Sequence, residues 1–134
     1  MKFLLMMNTP AEAKGEYSID SWAPEAVQAH VDYWRDLNRE LAEAGELVGV
    51  YALTPPRQGR VVRAGEDGLP AITDGPFPEA KEFLAGFWTV DVETPERAYQ
   101  IAAKASAAPG PGGVPLIIPI EVRQVMSAPV RDDA

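Results

Sequence analysis

Two side chains stand out for the chemistry they could perform together: His30, the chain's only histidine, and Asp74, set ahead of a Gly75-Pro76 pair. An imidazole titrates near pH ~6.5, so it can take or give a proton at neutral pH. A carboxylate beside it would fix the ring's tautomer and stabilise its charged form. Each residue also has a plainer reading. His30 falls within an apolar helical stripe, where backbone or a buried carboxylate could satisfy its ring as a core residue. Asp before Gly-Pro is a common turn former that binds its own backbone. Both alternatives stay open at this point. Glu79, Lys81 and Glu82 follow Pro78, which can open a helical turn with the two acids on one side. Lys81 could hold an anionic group of a substrate, or make a surface ion pair. Near the end, Glu121 and Arg123 alternate with Ile118, Ile120 and Val122, so the two charges share one strand face. A structural Glu–Arg bridge is the first reading there, with Arg123 as a ligand anchor the second.

Composition removes several classes. The chain has no cysteine, which excludes disulfides, thiolate nucleophiles and sulfur-ligated metals. One histidine and no cysteine leave no usual zinc ligand set, and no spacing suggests a metal or cofactor. A net charge of -8 repels phosphate backbones and anionic lipid, so no direct nucleic-acid partner is expected. Gly110-Pro111-Gly112-Gly113 follows a helix and contains proline, unlike a nucleotide-binding loop. The apolar run at Phe3 to Met7 is shorter than the ~7–15 residues of a secretion signal. Nothing approaches the ~20 apolar residues of a membrane helix. A cytoplasmic protein is expected, with one domain over residues 1–126 and a loose tail over 127–134.

The elements that must position these residues follow in order. Phe3 to Met7 reads as a strand apolar on both faces, stopped by Asn8-Thr9-Pro10. A loop over 11–23 leads to a helix from Pro24 to about Ala44, with Gly45 as its left-handed stop. Val27, Val31, Trp34, Leu37 and Leu41 form its stripe, and His30 lies one turn before Trp34. Glu46 to Leu53, apolar on both faces, reads as an inner strand. Gly59 to Arg63 and Leu69 to Thr73 read as a hairpin around Gly65-Glu66-Asp67-Gly68. Phe83 to Val92 is a long strand. Thr94-Pro95-Glu96 starts a second helix with a hydroxyl cap, a proline and an acid. After the connection Ala107 to Gly113, Leu116 to Met126 is the last strand. This order is α+β, a ferredoxin-like split β-α-β arrangement with an inserted hairpin. Two helices cover one sheet face, and the greasy face left over predicts a homodimer packed sheet to sheet.

These residues resemble the YCII-related family, in the branch marked by its Asp-Gly-Pro-Phe motif. The matching pieces are Leu4-Leu5-Met6, His30, Leu41 to Gly49, Val61-Val62-Arg63, Thr73-Asp74-Gly75-Pro76-Phe77, Glu79, Lys81, Glu82, Gly86-Phe87 and Ile120 to Arg123. Gln124 stands where the family usually has proline, and the stretch Pro109 to Pro119 is unusually rich in proline and glycine. The resemblance implies a dimeric α+β barrel, two ferredoxin-like sheets facing each other. It also implies a suggested His–Asp active site, here His30 and Asp74; Glu79, Lys81 and Arg123 are substrate-binding candidates from their own chemistry. A lyase or isomerase acting without a cofactor on a small organic molecule is one expectation. The other is a non-catalytic dimer that binds a small-molecule ligand or associates with a sigma factor.

Overall fold

Pro24 and Gly45 bracket the first helix for opposite reasons. Proline lacks the N–H that a helix start leaves unpaired, and Gly45 takes a φ of 72° that ends it. The Glu46 N–H reaches the Leu41 carbonyl at 2.9 Å and the Gly45 N–H reaches that of Ala42 at 3.1 Å, closing the last turn. This helix, α1 (Pro24–Glu43), lies between β1 (Lys2–Pro10) and β2 (Leu47–Ala52). The hairpin β3 (Arg60–Ala64) and β4 (Pro70–Asp74) follows, then β5 (Glu82–Asp91), α2 (Pro95–Ser106) and β6 (Ile120–Gln124). The computed structural model describes residues 1–10, 19–75 and 81–126. The expected tail over 127–134, most of the 11–23 loop, and the turn around Pro78 and Glu79 lie outside the described residues.

The main sheet has the order β2-β5-β1-β6 and is antiparallel, the ferredoxin-like arrangement, while β3 and β4 form a separate two-stranded sheet. Phe3, Leu5, Trp88 and Val90 face Leu37 and Leu41 of α1 and Ile101, Ala102 and Ala105 of α2 in one core. Burying Leu5, Leu41, Ile101 and Val90 completely stabilises the fold by about 1.5–3 kcal/mol each. Thr94 caps α2 by accepting the Arg97 N–H at 3.2 Å. Arg97 then grips both Glu46 oxygens at 2.8 Å, tying the start of α2 to the chain entering β2.

Three details differ from the sequence reading. β2 is an edge strand, because apolar residues on both sides report two sheet faces and carry no signal about strand edges. The register shift between Leu47 and Gly49 puts Leu47 and Val50 on the helix side and Tyr51 on the other. β1 continues to Pro10, paired with Glu82, through a second shift that leaves Ala85 as the extra residue. The last strand begins only at Ile120. Pro115 and Pro119 cannot donate ladder bonds, Ile117 has φ 54°, and Leu116 and Ile118 bond back to Ala108 and Ser106 at the end of α2.

Gly86 brings β5 close to β2: a Cβ there would sit 2.8 Å from the Tyr51 carbonyl oxygen. Gly86→Ala is therefore expected to destabilise the protein by about 1–3 kcal/mol in urea unfolding. The hydrogen bonds from Arg97 hold the Glu46 carboxyl below its ordinary value of 4.5. Stability from that pair is complete above the ordinary value and is lost as pH falls through the depressed folded value. Glu46→Gln should cost about 1–2 kcal/mol at neutral pH, and should flatten the loss of urea midpoint as pH falls below the ordinary carboxyl value.

Candidate functional site

His30, Trp34 and Asn38 follow at four-residue steps, so α1 stacks one imidazole, one indole and one amide along a single line. His30 is 7% exposed, and both ring nitrogens are engaged. An indole N–H can only donate, so the 2.6 Å contact from Trp34 Nε1 makes His30 Nε2 the acceptor. The ring's proton then belongs on Nδ1, which donates to the Pro109 carbonyl at 2.9 Å. Trp22 and Trp34 stand edge-on to the imidazole, with centroids at 5.3 and 5.2 Å. Trp34 also packs on Trp88 at 5.1 Å, and Trp88 Nε1 donates to Asn38 Oδ1 at 2.8 Å. Tyr33, one residue before Trp34, donates to the Lys104 carbonyl at 2.6 Å. Burial, aided by Glu40, raises its phenol above the ordinary value of 10.0.

Two cavities flank this line. The smaller, about 160 Å³, is walled by Thr9, Trp22, His30, Leu116 and Ile118. The larger, about 200 Å³, opens between α1 and the β2 edge beside Trp34, Asn38, Val50, Phe87 and Trp88. Met7 and the bulged Ala85 belong to both walls. No Asp, Glu, Lys or Arg is among the described residues lining either one, and His30 is their sole titratable group apart from the Tyr51 phenol. Among the described residues the Trp22 N–H is buried without a partner, which costs about 1–3 kcal/mol.

The other sequence candidates lie elsewhere. Asp74 closes β4 with a side chain 93% exposed, and its partner is Arg60 at 3.4 Å. The ring bonds of His30 go to Trp34 and Pro109, so within one chain these interactions do not join the histidine to Asp74. A cleft of about 540 Å³ lies at the foot of the hairpin, lined by Arg60, Gly75, Phe83 and Leu84, and among the described residues it shares no lining residue with the His30 cavity. Lys81 is exposed just before β5. Arg123 pairs with Leu4 and Glu121 with Met6, which places both charges on the sheet face opposite the helices. Among the described residues no ion pair joins Glu121 to Arg123. Glu79 lies outside the described residues.

Trp22, Asn38, Met7 and Ala85 line the site without figuring among the sequence candidates, and Trp34 is expected only as part of the apolar stripe of α1. Asn38 carried a signal: a polar side chain one turn beyond Trp34 on the stripe that holds His30. The bulge at Ala85 carried none, because it arises from how β1 and β5 pair.

Residues 1–115 match the YCII-related domain. The chain is similar to an uncharacterised protein of Rhizobium meliloti (strain 1021), 32% identical over 90 residues, which is 66% of this chain and 70% of that protein. With a ferredoxin-like sheet, an inserted hairpin and a match over most of its length, the chain belongs to the YCII-related domain family.

Proposed function

We propose that the protein is a homodimer that binds a small, neutral, largely apolar organic molecule in the cavities beneath α1. The observation that carries this reading is the contrast between those walls and the rest of the chain. Residues with full charges make up 24% of the sequence, yet none lines either cavity among the described residues. A carboxylate or ammonium ligand would meet no opposite charge there, and its desolvation would go uncompensated. A neutral ligand loses little on entry and gains contact with three indoles and an imidazole.

The dimer rests on the sheet face away from the helices. Leu4, Met6 and Phe87 lie half-buried at its centre, and Tyr51, 60% exposed, pairs beside Phe87. Glu121 and Arg123 flank this apolar strip. A two-fold axis through the strip would cover it and let each charge meet its opposite across the interface.

Catalysis is the second reading, favoured by one observation: a titratable imidazole lines the smaller cavity. A cofactor-free lyase or isomerase would use His30 to move a proton. Asp74 would orient the ring, and Lys81 or Arg123 would stabilise developing negative charge. His30 Nε2 would first have to release the Trp34 indole, and Asp74 would have to leave Arg60.

Four measurements test these readings. Long-range ¹H–¹⁵N spectra should place the His30 proton on Nδ1, and a proton on Nε2 would remove the basis for a fixed neutral ring. Cyclohexanone, a neutral ring with one acceptor oxygen, should shift the indole N–H signals of the tryptophans; unmoved signals at saturating probe would overturn the binding reading. Sedimentation should give a dimer for the native chain and a monomer for Met6→Glu. If an identified ligand is turned over, His30→Ala abolishing turnover while binding persists would favour catalysis.

A further inference from the structure

The two cavities beneath α1 have one divider. Met7 and Ala85 stand in the walls of both, and of the two only Met7 has a long side chain. Met7 lies on the helix side of β1, paired with Gly86 and Ile120, and packs against the core while still half-buried. The register shift that follows it leaves Ala85 as the extra residue of β5, and a bulge locally weakens the pairing that would otherwise hold this part of the floor flat. Methionine is unbranched, with three rotatable bonds, and changes rotamer at little cost. A leucine or isoleucine there would fix the partition; a methionine can move aside.

Size makes the consequence specific. Each lobe, about 160 and about 200 Å³, is close to the ~150 Å³ of an apolar cavity that accepts one benzene-sized ring. Either lobe alone holds one ring, and both together hold two. The polar groups are placed unevenly. Asn38 Oδ1 already accepts from Trp88, which turns the amide N–H₂ away from that bond. Among the described residues no acceptor takes it, so it can donate to a ligand oxygen. At the other end the ring nitrogens of His30 are both occupied and the unpartnered Trp22 N–H has almost no exposed surface, so Thr9 is the remaining polar wall beside Ile118 and Leu116.

We infer that the two cavities are lobes of a single site divided by Met7, and that its ligand is a neutral two-ring molecule with an acceptor oxygen at the Asn38 end. This rests on the binding reading above and names the ligand class for it. Met7 is then the residue that sets ligand length.

The chain carries its own reporters, since its three tryptophans divide between the lobes: Trp22 lines the smaller, Trp34 and Trp88 the larger. Titration with 2-decalone, a two-ring ketone, should shift all three indole N–H signals together along one binding curve with one probe per chain. Its affinity should exceed that of cyclohexanone by roughly tenfold or more. Met7→Ala should tighten 2-decalone by about five-fold and leave cyclohexanone within about two-fold. Met7→Phe should weaken 2-decalone by about ten-fold while cyclohexanone still binds. The wild-type titration and Met7→Phe decide the matter even if Met7→Ala does not fold. The inference is overturned if 2-decalone moves the indoles of one lobe only, or if Met7→Phe binds it as well as the native chain does. Cyclohexanone binding without 2-decalone binding overturns this inference alone, whereas binding of neither overturns the reading beneath it as well.

Discussion

The imidazole of His30 is the joint on which this molecule's interior depends. A buried neutral ring needs both nitrogens served, or it forfeits the hydration it gave up. Here one nitrogen serves the helix that carries it, through Trp34, and the other serves the connection after α2, through the Pro109 carbonyl. The edge-on contact with Trp22 adds the segment that precedes α1. Three stretches, one of them 79 positions away, thus meet at one five-membered ring. Removing it would leave the part-buried Pro109 carbonyl and Trp34 indole N–H without these partners, each loss costing about 0.5–1.5 kcal/mol. The wall at His30 is consequently fixed by directional bonds, while the Met7 side chain on the paired floor is held by packing alone.

The floor is shaped by two irregularities in strand pairing. The shift at Val48 rotates β2 so that Val50 joins the helix side, and the shift after Met7 leaves Ala85 outside the ladder. Between them Gly86 lets the β2 backbone approach closer than any side chain would allow. A regular sheet would have met α1 with a filled surface. The paired bulges open space there, and the Asn38–Trp88 bond keeps the helix and the sheet in register around it.

Much of this fold was legible because its signals are local. Pro24, Gly45 and the Thr94-Pro95-Glu96 start each act within one turn of chain, and each lies where the sequence placed it. The alternation at Glu121 and Arg123 likewise gave their shared face correctly. What could not be read is what pairing decides. Glu46 to Leu53 looks like an inner strand because its residues describe the faces of a sheet, and its place at the edge depends on which strand lies beyond it. His30 was legible as a residue of consequence, but its hydrogen-bond partners were not. Pro109 lies 79 positions away in a stretch that reads only as a flexible connection.

The clamp on His30 also ranks the two chemistries this site could support. General-base catalysis needs a lone pair free to meet a proton, and Nε2 spends its lone pair on Trp34. Binding asks less of the imidazole: held still and satisfied before the ligand arrives, it adds little ordering cost to association. The same two hydrogen bonds therefore favour recognition and oppose proton transfer. A ligand could reverse that order only by offering the indole of Trp34 a better acceptor than the imidazole does. Because Trp34 lines the larger lobe, an oxygen brought in beside Asn38 is placed where that competition would take place.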